Sequence, residues 1–372
     1  MRIPLAASLF MAFTTFLSAA EHRVYLGCEG REKTPAGIFL SIFDSETGAL
    51  QPPQRVATAG NPSFLAIDAG NKFLYSVSEA GDGSVVAWSI ASDGTLTELN
   101  QQPAGGRGPC HLSLSPSSKT LLVANYTGGS LASFPVQPDG TIGERASFFQ
   151  LTGTGPDASR QEAPHAHGIY TDPTGKWVYV PDLGTDKVWI YRLDEETSAL
   201  TPNEPAFAVL PPGSGPRHLA FDLTGRHAYV NGEMGLNITA FTLNPQTGAL
   251  NSASTAPVFP KELTLPKNAD TAEVVVHPTN RFLYVSTRAY NSLSSFTIAA
   301  DGSLTFLENL PLTVKGPRHF SISPNGRWMI VPGQRSHTVE VLQADPETGK
   351  LKPTGTSVEL PGPVCAIFAP AK

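Results

Sequence analysis

The chain has 372 residues, a formal net charge of -6 and 40% hydrophobic residues, enough apolar mass for a large core. Its mild acidity and the lack of any basic stripe exclude a nucleic-acid-binding role. Only 16% of residues are charged, while Gly (34) and Pro (33) are frequent, a balance that suits many short strands joined by tight turns.

The N-terminus stands apart from the rest. Arg2, an apolar run from Ile3 to Leu17, and Ser18-Ala19-Ala20 read as a secretory signal cleaved after Ala20. A membrane-anchoring helix is the competing reading, but the run is short for a bilayer span. No later segment is apolar enough to cross a membrane, and no linker or low-complexity stretch divides residues 21–372, which are expected to form a single domain. Cys28, Cys110 and Cys365 are too few and too scattered for a disulfide framework and lack metal-ligand spacing. They read as small buried hydrophobes.

From Pro62 onward the chain repeats. Thirteen positions after Pro62 lies Tyr75, and the same offset from Pro109, Ala166, Pro216, Thr271 and Pro317 reaches Leu122, Tyr179, Tyr229, Tyr284 and Ile330. Successive copies lie about 45 to 57 residues apart, the range of propeller blades. Each copy has an alternating strand, a turn, a second strand ending in polar residues, and an amphipathic third strand. The third strands are expected at Ser84 to Ile90, Ser130 to Val136, Lys187 to Leu193, Ile238 to Leu243, Ser292 to Ile298 and Thr338 to Leu342. An Asp-Gly or Thr-Gly turn, as at Asp93-Gly94 and Thr247-Gly248, and a fourth strand complete most units.

The two ends explain each other. Pro363 opens a seventh copy that supplies only a first strand, whereas Arg23 to Cys28 and Gly37 to Phe43 read as the second and third strands of a unit lacking its first. The expected fold is therefore all-β: a seven-bladed β-propeller closed by pairing of the N- and C-terminal strands. An open β-sandwich does not account for seven copies in register.

In an antiparallel hairpin the entry to the first strand and the exit from the second lie at one end. So His165, His167, Asp182 and Asp186, which flank one such hairpin, should share a face of the molecule. Across the repeat the equivalent positions include Cys110, His111, Arg217, His218, Glu273, Arg318 and His319 at strand entry. Glu79, Asn125, Tyr126, Asp182, Glu233, Arg288 and Gln334 stand at strand exit. A purely structural ring would repeat one residue, whereas this ring varies in chemistry from blade to blade. Arg217, Glu233, Arg288 and His167 are assigned to function, and His111, His218 and His319 to inter-blade bonding. Asp182-Leu183-Gly184-Thr185-Asp186 reads as a turn capped by its aspartates rather than a Ca²⁺ site. Asn125-Tyr126-Thr127-Gly128-Gly129 reads as a bulge or turn, and no metal site is completed around His165 and His167.

Ala-Pro-His-Ala-His with Asp-Leu-Gly-Thr-Asp, Asn-Tyr-x-Gly-Gly, Gly-Pro-Arg-His with a downstream Glu, and Leu-Tyr-Val-Ser-x-Arg together resemble the seven-bladed lactonase family. That family includes propeller-type 6-phosphogluconolactonases and fungal carboxy-muconate cyclising enzymes. The resemblance runs from Val24 to Phe368 and implies a sugar-lactone substrate, chemistry at the channel mouth, and no metal or organic cofactor. It places the catalytic set on His165/His167, Arg217, Glu233 and Arg288; the register of the mouth adds His165, Asn125, Tyr126, Asp182, Glu79, Arg318 and Gln334 as expected substrate contacts. Thr287 stands where the family usually has Asn, and the leader is unexpected for cytoplasmic phospho-sugar metabolism.

The chemistry expected is activation of water by Glu233 or His167 and stabilisation of an oxyanion by Arg217 and Arg288. A lactonising cycloisomerase and a non-catalytic exported binding propeller are the alternatives. The small-molecule lactone is the only partner expected: the protein should act as a monomer, exported to the periplasm or beyond, with no nucleic acid and no stable membrane association once the leader is removed.

Overall fold

The computed structural model describes residues 20–30 and 35–369. The expected leader, residues 1–19, lies outside the described residues, which begin just before the first strand at Glu21. The described residues contain no helix and form seven four-stranded sheets. The first blade runs Leu65–Ile67, Phe73–Ser78, Ser84–Ile90 and Leu96–Pro103, and every neighbouring pair is antiparallel. Five more blades follow in the same order. The seventh is composite: Pro363–Phe368 pairs with Glu21–Cys28, which pairs with Gly37–Asp44 and then Gln54–Thr58. Val24 faces Phe368 and Gly27 faces Cys365, so the two termini close the ring as expected.

The expected third strands match closely because alternation and turn residues mark both ends. Ser84–Ile90 and Ser292–Ile298 agree to the residue. The third blade departs from expectation at its inner strand, which is reduced to Tyr170–Thr171. The sixth blade's inner strand is equally short, Ser321–Ile322, and the Ile169 amide donates 3.3 Å to His111 Nδ1 on the second blade.

The core is a ring rather than a ball. The described residues hold seven apolar clusters, each filling the gap between successive blades. Tyr75, Val77 and Ala87 of the first blade meet Leu112, Val123 and Phe134 of the second, for example. Cys28 packs in the gap on one side of the seventh blade and Cys365 in the gap on the other, so opposite faces of one sheet separate the two thiols.

A recurrent clasp joins neighbours. The tyrosine of the second strand donates its hydroxyl to a turn carbonyl of the next blade: Tyr25 to Gly94, Tyr75 to Gly140, Tyr179 to Gly248 and Tyr284 to Gly349, at 2.8–3.1 Å. The turn must be glycine for two reasons. At Gly248 φ is +71°, and an added Cβ would lie 2.5 Å from the Trp177 ring. The Tyr229 hydroxyl is buried with no such partner. Tyr179→Phe is therefore expected to cost about 1–2 kcal/mol, since it leaves a buried carbonyl unpaired, while Tyr229→Phe should be neutral or stabilising. Thermal unfolding of the two variants checks the order, and equal losses would contradict it.

Candidate active site

Bulges put the functional side chains where they are. The inner strands slip register between Pro109 and His111, between Pro216 and Leu219, and between Thr271 and Val274. A bulge bends a strand and re-aims its side chains. Cys110, Arg217, His218, Ala272 and Glu273 all fall at these slips. The second strands end at the same mouth, where the Glu233 amide donates to Gly215 O at 2.8 Å and the Arg288 amide to Asp270 O at 3.1 Å.

These ends enclose a cavity of about 200 Å³. Six expected residues line it: Glu79, Tyr126, His167, Glu233, Arg288 and Arg318. Gly108, Cys110, Thr127 and Arg160 complete the wall. The volume falls below the ~300–1,000 Å³ usual for drug-sized ligands, so the cavity suits one small ring.

Glu233 is the electrostatic centre. Its Oε1 lies 2.6 Å from Arg160, and its Oε2 lies 3.0 Å from Arg217 Nε and 3.1 Å from Arg288. The Arg217 contact is ionic without being an aligned hydrogen bond, because neither Arg217 Nε nor Glu233 Oε2 has a donor–acceptor partner of good geometry. Burial alone would raise the Glu233 pKa, but Arg288, Arg217 and Arg160 overcome it and hold the carboxyl at about 2. Such a carboxylate is a fixed counter-ion and a poor proton acceptor. Arg217 is itself buried and donates to Ala272 O at 2.6 Å. Burial, followed by Arg318 and Arg288, pulls its pKa down to about 10, so it stays charged at neutral pH.

Below the cavity the channel is filled by the next residues of the inner strands. Phe64 packs 4.0 Å from His111, and His111 lies 5.2 Å from His218, centroid to centroid. His218 Nδ1 is 2.9 Å from Glu273 Oε1, and His319 Nε2 is 3.4 Å from Glu273 Oε2. Burial holds His111, His218 and His167 well below the ordinary imidazole value, and neighbouring imidazoles and arginines add to it. The floor is therefore uncharged imidazole around one carboxyl whose pKa burial raises. His111, His218 and His319 bond between blades as expected. The described residues contain no cluster of three or more His, Cys, Asp or Glu placed to hold a metal ion.

A family model described as a 7-bladed beta-propeller lactonase matches residues 23–368. The chain belongs to this lactonase family. Bacillus subtilis (strain 168) 6-phosphogluconolactonase is 34% identical to this lactonase-family chain over 335 residues, covering 89% of this chain and 94% of its own length. Formosa agariphila 6-phosphogluconolactonase is 31% identical over 337 residues, covering 88% of this chain and 94% of its own length. A solved periplasmic gluconolactonase from Pseudomonas aeruginosa matches with a TM-score of 0.87 at 30% identity, over 95% of this chain and all (100%) of its own.

Several residues expected at the lactonase mouth lie elsewhere. Asp182 is fully buried and turned away from the cavity. Its oxygens accept from the His165 and Gly184 amides, the Thr185 hydroxyl and Trp189 Nε1, so it caps its own turn. Asp186 likewise accepts from the Gly213 and Gly215 amides, at 2.7 and 2.8 Å. Asn125 is buried against Ala104 O and Ser130 Oγ, and Gln334 is taken up by Glu29. His165 stacks on Tyr126 at 4.7 Å and supports that ring from behind. Arg217 lies beneath the wall rather than in it.

Two of the four further wall residues, Cys110 and Arg160, carry chemistry to which the sequence assigned no role. Cys110, read as core, lies 3.8 Å from His167 Nδ1; burial raises its thiol pKa to about 12, so it remains protonated. Its place in the repeat, equivalent to His167 and Arg217, was the available signal. Arg160 comes from the connector between the second and third blades. Asp157 caps the Ser159 and Arg160 amides, and buried Gln161 bonds Leu183 O and Asp186, which fixes the connector across the mouth. Nothing periodic marks such a residue.

Proposed function

We propose that the chain hydrolyses a sugar lactone to the corresponding aldonic acid at this cavity. The observation that carries the reading is the convergence of Arg160, Arg288 and Arg318 on a one-ring cavity floored by Arg217 and neutral imidazoles. Of these, Arg318 has no hydrogen bond or ion pair within the described residues and is free to meet a ligand oxygen. Guanidiniums so placed can hold a lactone carbonyl as it becomes an oxyanion. The names of the relatives, 6-phosphogluconolactonases and a gluconolactonase, support the same substrate class.

The protein is exported and its physiological substrate is an unphosphorylated lactone. The Arg2–Ala20 leader pattern supports this, as does the periplasmic relative from Pseudomonas aeruginosa. The test is lactone disappearance with δ-gluconolactone and with its 6-phosphate. Both hydrolyse spontaneously, so rates are compared with an Arg217→Ala, Glu233→Gln double variant. Acceleration by wild type alone is expected, with the free lactone the better substrate. No acceleration of either would sink the lactonase reading in favour of a cyclising enzyme or a binding propeller, and a strong preference for the 6-phosphate would sink the export argument.

A further inference from the structure

Two carboxylates line the cavity, and their surroundings differ. Glu233 and Glu79 occupy the same register position, one residue past the second strand, in the fourth and first blades. Glu233 is gripped by three guanidiniums, whereas among the described residues Glu79 has none within ion-pair distance. Its Oε1 accepts from the Ser63 hydroxyl, and among the described residues no donor engages its Oε2. Ser63 stands at the strand entry of the same blade and locks the carboxylate plane while leaving one oxygen open to the cavity.

We propose that Glu79 is the general base, with Ser63 as its positioning residue, in the lactone hydrolysis proposed above and on which this assignment rests. A water O–H bond breaks and its proton passes to Glu79 Oε2, while the water oxygen bonds to the lactone carbonyl carbon. The carbonyl π pair moves to oxygen, where Arg288 and Arg318 meet the charge. The oxyanion then collapses, the ring C–O ester bond breaks, and the departing alkoxide takes the proton back from Glu79. The product acid ionises to solvent, so atoms and charge balance.

The competing bases are weaker. Burial and the nearby Arg217 suppress the proton affinity of His167, and three arginines suppress that of Glu233. Burial raises that of Glu79, and the groups that face it partly cancel: Ser63 and Arg318 favour its ionised form, Glu29 opposes it, and Cys110 is neutral. Two carboxylates driven apart by their environments are the usual mark of separate roles in acid–base catalysis. Because the base must be ionised, activity should fall as pH drops through the raised Glu79 value, above the ordinary glutamate range.

The test uses the purified full chain with δ-gluconolactone across pH. Glu79→Gln should lower kcat by about 10²–10⁴-fold with little change in KM, and should abolish the acidic limb of the kcat profile. Ser63→Ala should move that limb to higher pH with a smaller loss of kcat, and this limb shift tests the proposal independently if Glu79→Gln folds poorly. A Glu79→Gln enzyme within about threefold of wild type, or one that keeps the acidic limb, overturns the assignment and leaves the lactonase intact. An unmoved limb in Ser63→Ala overturns the role of Ser63 in the same way. If wild type itself fails to accelerate hydrolysis, both readings fall together.

Discussion

Arg217→Ala is expected to lower kcat/KM toward δ-gluconolactone by about 10²–10³-fold, the usual cost of removing one preorganised charge that stabilises a developing oxyanion, here from beneath the cavity. The side chain is buried and touches three partners at once: Glu233 Oε2 at 3.0 Å, Ala272 O at 2.6 Å and His218 Nε2 at 3.2 Å. Its charge lies directly beneath the cavity, in a setting with little water to screen it. The fold should survive, because Arg160 and Arg288 still neutralise Glu233. The stability loss is expected to be about 1–3 kcal/mol, from a carbonyl and an imidazole left without their donor. Arg217→Lys keeps the charge but cannot reach all three partners, so it should recover only part of the rate. Circular dichroism and thermal unfolding separate loss of chemistry from loss of fold. A rate within about threefold of wild type in Arg217→Ala would remove the residue from the mechanism, since it is far below the expected loss.

A chain ending at Leu360 is expected not to fold. It lacks the inner strand Pro363–Phe368, and with it the pairings of Val24, Tyr25, Leu26, Gly27 and Cys28. Val364, Cys365 and Ala366 are buried, and Ile367 and Phe368 pack against the two flanking clusters. At about 1.5–3 kcal/mol for each large apolar side chain, the loss is on the order of 5–10 kcal/mol. Net stabilities of proteins are about 5–15 kcal/mol, so little would remain. The strand Glu21–Cys28 would also become an unpaired edge, which invites aggregation. Size-exclusion chromatography and thermal melts compare this chain with one shortened only by Ala371 and Lys372, which should behave as full length. A cooperative melt within a few degrees of wild type would show that the ring does not depend on terminal closure.

Much of this architecture was legible because it repeats. Period-two alternation with turn glycines located the third strands almost to the residue, and three of the four tyrosines that stand thirteen residues after an anchor, Tyr75, Tyr179 and Tyr284, proved to be clasps between blades. The mismatched ends predicted the composite seventh blade, because an unpaired strand edge at each terminus has one economical partner. For the site, the register located the mouth and six of its wall residues. It could not say which way a polar side chain turns at the end of a strand. Asp182 and Asn125 sit at mouth positions but spend their hydrogen bonds on backbone and neighbours below the surface.

What the chain determined by itself is therefore the ring, its closure and the end that carries chemistry. These follow from local rules of alternation, turn geometry and antiparallel pairing. Only the tertiary structure decided that Arg160 crosses from a connector to reach Glu233, that three guanidiniums disarm Glu233 as a base, and that Glu79 keeps one oxygen open. Those outcomes depend on charges and donors brought together from blades far apart in sequence. Coulomb energy and burial depend on distance in space, which the register of any single repeat does not contain.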